Sequence, residues 1–525
     1  MLGAEGLKEE LPRDARIAQA DVRSGLPRGM PDDLGRRLRR LKRRVSRLQA
    51  DALAEACCSQ LLAVEGQGAA AWIEWRPWHL LDLLHLSLVD GRHSPPWEPV
   101  TQDAMIELMN LLRDIDALHP SPQFGHPFGA IKALRQIAFE QFWLQRRISW
   151  IDVGRVYAQF GSLDDEHPLA RLFFARAGIS LRTYLMLAYT LWAFTSAEAC
   201  PRPFQASAIF RNLDIPTSDC ERFFELVALP VNSAQVWLVQ RQRLQNPLYT
   251  LFEPVPFVRR PIITVGGLCF LTSRRMVEHH LRGTQQLLAE WDSNLAGREG
   301  GKIQERYLHS LLAELGGELA TERELKRRGC AGQVADFALF GDRSFAVLES
   351  KAIEPHLMFR INPSDATAAK YNDDLVDAFR QCIATACFLR ARGEQRTPFA
   401  WVITRSDFYY VSGRPLWDEF LKDVLPPGVI APENFFVTSI EEFEHIVGRL
   451  RSPQQILAFL QRMATEQADA ATSVLQLSGK LPTADPVLPY VRTAFDKFNS
   501  ELSNHFPQAR RVARSDAPSA PGRGR

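Results

Sequence analysis

Near residue 250 the hydrophobic periodicity of the chain changes, and that change limits the folds open to it. Upstream, apolar residues recur at helical spacing over long segments such as 102–117 and 131–147, separated by loop punctuation at 93–99, 119–127 and 164–168. Downstream, short apolar runs bounded by turns alternate with helical patterns. PIITV (261–265) and GLCFLT (267–272) predict a hairpin. A helical pattern follows at 274–291, and Asn294, Gly297, Gly300 and Gly301 mark a break. Beyond it the order is helix (302–315), strand (318–325), strand (334–340), turn, strand (344–350), helix (367–391), strand (399–404), strand (434–438) and helix (440–449). That order describes an α/β domain with a central mixed sheet, preceded by a mainly α-helical region. No internal repeat is evident, and the 525 residues leave room for several cores.

The expected organisation is therefore an unstructured start (1–30), a helical region (31–250), a connecting hairpin and helix (251–294), the α/β domain (295–450) and further helices (451–506). The chain closes on a basic Pro/Gly/Arg tail (507–525). The eight cysteines form no CxxC pair, so neither a zinc site nor a disulfide framework follows. The start of the chain has no apolar signal segment, and the run 179–196 is interrupted by Arg182 and hydroxyl residues. It reads as a buried helix rather than a membrane span. The expected location is cytoplasmic, with no membrane partner.

The formal charge of +2 is an average over unlike regions. Leu34, Leu38, Leu41, Val45 and Leu48 form the seam of an amphipathic helix. Between them lie Arg36, Arg37, Arg39, Arg40, Lys42, Arg43, Arg44 and Arg47, with no acid. Five tail arginines, Arg510, Arg511, Arg514, Arg523 and Arg525, add a second basic end, which leaves the body of the chain acidic. A solvated helix face accounts for the first cluster, and so does contact with phosphates, which releases counterions. The trio Trp72, Trp75 and Trp78 reads as core and turn packing.

The stretch VADFALFGDRSFAVLESKA (334–352) carries the chemistry. Side chains alternate along a strand, so Glu349 and Lys351 share a face and Ser350 opposes them. Asp336, on the strand expected at 334–340, reaches the same spot if the hairpin register places it there. Two carboxylates and an ammonium at one strand end suit Mg²⁺, which accepts one or two protein carboxylates and keeps several waters. The tripeptide by itself means little, since Glu324–Leu325–Lys326 repeats it and reads as an exposed pair on the first strand. Its setting gives it weight, because buried strands rarely carry Asp, Glu and Lys unless these are paired or functional.

Asp336, then Glu349–Ser350–Lys351 on a hairpin, preceded by Glu305 in the helical GKIQERYLHSLLAEL, resembles the PD-(D/E)xK nuclease superfamily over residues 295–450. The resemblance implies a restriction-endonuclease-like fold. It implies that Glu305, Asp336 and Glu349 hold Mg²⁺, or Mn²⁺ in its place, with Ser350 lending a backbone carbonyl and Lys351 activating the water. Gln381, beside Arg380 on the following helix, resembles the glutamine that the RecB-like branch sets next to its site. Thr385 stands where that branch has tyrosine. One metal needs only Asp336 and Glu349, and a second recruits Glu305. His309, one turn after Glu305, reads as a surface or packing histidine, and His279–His280 as structural.

The function expected on this resemblance is metal-dependent phosphodiester hydrolysis, in DNA first, with restriction, repair or anti-phage defence as its setting. The rival expectation is a nucleic-acid-binding or scaffold protein that keeps the nuclease fold without turnover. A protein partner or a second copy of the chain stays open under either.

Overall fold

The computed structural model describes residues 32–67, 69–116, 135, 138–139, 147–196, 203–241, 255–355, 359–360, 372–425, 428–466 and 485–506. The expectations for 1–30, most of 131–147, the first residues of 367–391, and the tail arginines lie outside them. Two units are distinguished: Met1–Pro120 with Ala170–Ser293 and Ser500–Arg525, and Ser121–Leu169 with Asn294–Asn499. Residues 295–450 and 451–499 thus belong to one unit, together with 121–169.

The first unit is largely helical. Helix α1 (Asp32–Val45) follows from its seam, for Leu38, Leu41, Val45 and the following Leu48 are all buried. The hairpin forms as β2 (Ile262–Val265) and β3 (Leu268–Leu271), whose turn glycines Gly266 and Gly267 have φ of +57° and +83°. A short β1 (Ala228–Pro230), which the sequence pattern did not disclose, runs parallel to β2. The helix expected over 274–291 is two helices, Arg274–Arg282 and Thr284–Trp291, divided at Gly283. No helix among the described residues is long and apolar enough to cross a membrane.

The second unit is built on a five-stranded mixed sheet with helices on both faces, in keeping with an α/β domain behind a helical region. Helix α2 (Ser293–Ala313) precedes β4 (Glu318–Thr321), β5 (Phe337–Phe340) and β6 (Ser344–Lys351), which pair antiparallel in turn. Helix α4 (Asp373–Ala391) leads to β7 (Thr397–Thr404) and then β8 (Phe435–Ser439), both parallel to β6. Between β4 and β5 lies a short α3 (Glu322–Arg327). One sheet face, with Leu339, Leu348, Trp401 and Ile403, packs on Tyr307, Leu308 and Leu311 of α2. The other, with Phe340, Val347 and Val402, packs on Phe379, Cys382 and Ala386 of α4. Covering both faces is why these strands read as continuous apolar runs rather than alternating ones.

Three local expectations are corrected. Asn294, Gly297, Gly300 and Gly301 do not break the chain but lie within α2, because packing of its apolar stripe outweighs a modest glycine penalty. The strand expected to reach 325 stops at Thr321. There Thr321 and Glu324 form a capping box that turns the chain into α3, so Glu324 and Lys326 are helical, and Lys326 pairs with Glu322 at 2.5 Å. Asp336 lies one residue before β5, not within a strand.

A buried charge network ties α2 to the remainder of this unit. Arg155 is held at 2.6 Å by Asp152, 2.8 Å by Glu441 and 2.6 Å by Glu444, and the Tyr307 hydroxyl of α2 donates to Glu444 at 2.5 Å. Burial disfavours the Arg155 charge, but the Glu444 and Asp152 carboxylates, with the Tyr307 oxygen, outweigh that and hold it firmly protonated.

Candidate active site

The sheet topology brings the acidic and basic groups of 334–352 to one edge. Strands β6 and β7 run parallel, and their carboxyl ends, Lys351 and Thr404, are register partners. Strand β5 runs antiparallel to β6, and the pairing Phe337 to Leu348 sets Asp336 opposite Glu349. The hairpin register that the sequence reading required is therefore the one the chain adopts.

Four residues are linked there, Asp336 just before β5, Glu349 and Lys351 on β6, and Gln381 on α4. The Asp336 N–H donates to Glu349 Oε2 at 3.2 Å, and the Ser350 N–H donates to Asp336 Oδ2 at 2.7 Å. Lys351 Nζ lies 2.7 Å from Glu349 Oε1 and donates to Gln381 Oε1 at 2.9 Å. Gln381 arrives from the middle of α4, which lies across this face of the sheet. Glu349 is buried, at 3% exposure, while Asp336, Lys351 and Gln381 are half-buried and keep the group open to solvent.

Burial and the neighbouring Glu349 charge push the Asp336 carboxyl well above the ordinary range, with Glu305 adding to the effect. Burial also raises Glu349, against the pull of Lys351 and of the Asp336 N–H. At Lys351 burial disfavours the ammonium, but the Glu349 carboxylate outweighs it, helped by Asp336 and Asp374, and the lysine is held above its usual value. Lys351 accordingly carries its proton at neutral pH.

Glu305 is half-buried on α2, its carboxyl raised first by burial and then by the charge of Glu322. It acts on Asp336 through its charge, and the hydrogen bonds above do not include it. His309 stacks on Phe337 at 6.0 Å between ring centroids, a packing role. Three contributors escaped the sequence reading. The Thr385 hydroxyl accepts the Ala335 N–H at 2.9 Å and fixes the approach to Asp336 from fifty residues away. The Glu322 N–H donates to the Asp336 carbonyl at 2.7 Å, and Asp374 adds a further acid near Lys351. The sequence signal for Glu322 was the capping box beside it; Thr385 was marked only as the residue four after Gln381, and Asp374 had none.

The donor set fits a hard divalent cation. Two carboxylates forced together in a partly buried site raise each other's pKa, and a cation between them relieves that repulsion. Asp336 and Glu349 would hold it. Because a residue's N–H and C=O point the same way within a strand, the Ser350 carbonyl lies on the Asp336 side with its N–H. Among the described residues no group of three or more His, Cys, Asp or Glu side chains is arranged to hold a metal.

On the basic helix the structure divides the eight cations. Arg37 pairs with Asp33, Lys42 with Asp90, and Arg44 with both Glu98 and Glu107, while Arg36 lies 3.5 Å from Asp33. Arg39, Arg40, Arg43 and Arg47 are exposed, and Arg43 donates to the Arg39 carbonyl. His280, as expected, is structural, with Nδ1 on the Val258 carbonyl and Nε2 on the Tyr184 hydroxyl.

No family model matches the chain, and no curated protein matches it.

Proposed function

We propose that the chain is a metal-dependent nuclease that hydrolyses phosphodiester bonds in nucleic acid, DNA before RNA, through the site at the ends of β5, β6 and β7. The observation that carries this reading is the single hydrogen-bonded group of Asp336, Glu349, Lys351 and Gln381, partly open to solvent. The resemblance of Asp336 and Glu349–Ser350–Lys351 to the PD-(D/E)xK superfamily supports it, and so does the mixed sheet that carries them.

A bound Mg²⁺ or Mn²⁺ would polarise the phosphate and lower the pKa of a water. Asp336 and Glu349 supply its carboxylates, and Ser350 its backbone oxygen. Lys351, protonated, offsets charge that develops on the phosphate oxygens, while Gln381 holds the ammonium in that direction. Glu305 supplies a further carboxylate from α2 where a second metal is recruited.

Cleavage of plasmid and oligonucleotide DNA with Mg²⁺ or Mn²⁺ tests the reading against Asp336→Ala and Lys351→Ala. Wild type should cut, and each variant should lose at least about 100-fold. Equal activity in all three overturns it. Binding without cleavage by wild type favours the alternative, a nucleic-acid-binding or scaffold protein on a nuclease-like fold.

A further inference from the structure

Just beyond Lys351 the sheet carries a cation left largely uncompensated. Arg405 follows the last residue of β7, and its backbone N–H donates to the Lys351 carbonyl at 3.2 Å, adding one rung to the parallel ladder. Its guanidinium Nε and Nη2 are buried and make no hydrogen bond. Burial lowers its pKa to about 10, partly offset by the charge of Glu354 and aggravated by that of Arg155, so it remains protonated at neutral pH. Arg155 already engages Asp152, Glu441 and Glu444, which leaves those acids committed.

Ser350 supplies a second, independent orphan on the same face. Its Oγ is buried without a partner, and it is the register partner of Ile403, two residues before Arg405. Ser350 and Ile403 point away from the face of Glu349 and Lys351. Arg405, two residues after Ile403, continues that alternation, and its guanidinium carbon is 6.0 Å from the centre of the Phe160 ring. A charged donor fork and a hydroxyl thus stand unsatisfied at the strand ends, where leaving them so costs stability. Native folds leave few buried groups unpaired, and such groups need an explanation.

We infer that Arg405, with the Ser350 hydroxyl on the adjacent strand end, is a binding subsite for a nucleic-acid phosphate at the strand end that also carries Lys351. The inference rests on the nuclease reading and supplies what that site lacks. Lys351 is neutralised by Glu349, and Glu305, Glu322, Asp336 and Asp374 act on the same neighbourhood. A polyanion approaching this acidic edge needs a fixed cation with free donors. A guanidinium binds phosphate oxygens through two parallel N–H bonds.

The test uses the full chain without metal, so that cleavage plays no part. A short fluorescent DNA duplex is titrated by anisotropy across salt concentrations, and thermal melts are recorded with and without inorganic phosphate. Arg405→Gln should bind the duplex at least about tenfold more weakly, with a salt dependence shallower by about one phosphate contact. Inorganic phosphate should raise the melting temperature of wild type more than that of the variant. Without ligand, Arg405→Gln should melt at or above wild type, because it removes an uncompensated charge. Arg405→Lys, which keeps the charge without the fork, should fall between the two in affinity. Unchanged affinity and salt slope in Arg405→Gln overturn the subsite, as does a wild type that does not bind the duplex. A lower melting temperature in both variants would make Arg405 a structural group and overturn it as well. Failure of the nuclease reading shows separately, as absence of Mg²⁺-dependent cleavage by wild type.

Discussion

Lys351 is the residue on which the candidate site turns, because its ammonium offsets the buried Glu349 carboxylate. Its ammonium sits between Glu349 Oε1 and Gln381 Oε1, and Glu349 is almost wholly buried. Lys351→Met leaves that carboxylate without its cation. Urea denaturation should show a loss of about 1–3 kcal/mol, less than a fully buried pair gives because the lysine is partly exposed. Adding Glu349→Gln should recover most of the stability and none of the cleavage, a coupling that a double-mutant cycle measures directly. If the single and double variants are equally unstable, the pair is not what holds this edge. These residues were legible in the sequence because strand alternation and a short turn decide which of them share a face. Thr385 was not, since nothing local marks a threonine on one helix as the acceptor for an amide fifty residues earlier. His280 permits a second test at this scale. Burial pushes it down to about 4, against an ordinary 6.5, so the folded unit keeps it neutral. Between these values the unfolded chain binds a proton that the folded chain refuses. Stability therefore falls as pH drops through about 6.5 and levels off below about 4. The difference in urea midpoint between about pH 7 and pH 5 should shrink in His280→Asn, and an undiminished difference would assign the effect to other groups.

At the scale of elements, propensity misled where packing decides. Helix α2 runs through Gly297, Gly300 and Gly301, read from the sequence as a break, because Ile303, Tyr307, Leu308 and Leu311 fix its apolar stripe against the sheet. A Cβ added at Gly297 or Gly301 would meet nothing within 4 Å. Neither glycine has a positive φ. Alanine fits both places, and Gly297→Ala with Gly301→Ala should stabilise the chain by about 0.5–1 kcal/mol each, read as a higher melting temperature. A fall instead would mean that these glycines serve close approach by another group. Where the sequence pattern was strong, element and structure agree: Ser344–Lys351, Thr397–Thr404 and Ile440–Leu450 depart from expectation by two residues at most. The early end of β4 was also encoded, in the capping box of Thr321 and Glu324.

For the whole molecule, a net charge of +2 conceals an uneven allocation of cations. Around Lys351 the acids Glu305, Glu322, Asp336, Glu349 and Asp374 outnumber the basic groups, so this edge attracts cations and repels a bare polyanion. On α1 the balance is reversed. Arg37, Lys42 and Arg44 are occupied by acids of their own unit, which fasten the helix, while Arg39, Arg40 and Arg43 are exposed on it and Arg47 just past its end. Helical spacing alone could not separate these two groups, because the partners of Lys42 and Arg44 lie on other segments. If the four exposed arginines contact phosphates, each releases about one counterion when DNA binds. Replacing all four with alanine should then reduce the slope of log affinity against log salt by about three to four, in a titration without metal. The same replacement on Arg37, Lys42 and Arg44 should lower the melting temperature instead, since it removes ion pairs. A salt slope unaltered by the first set would make the face of α1 a solvated surface, and nucleic-acid binding would then depend on cations elsewhere, Arg405 foremost among them.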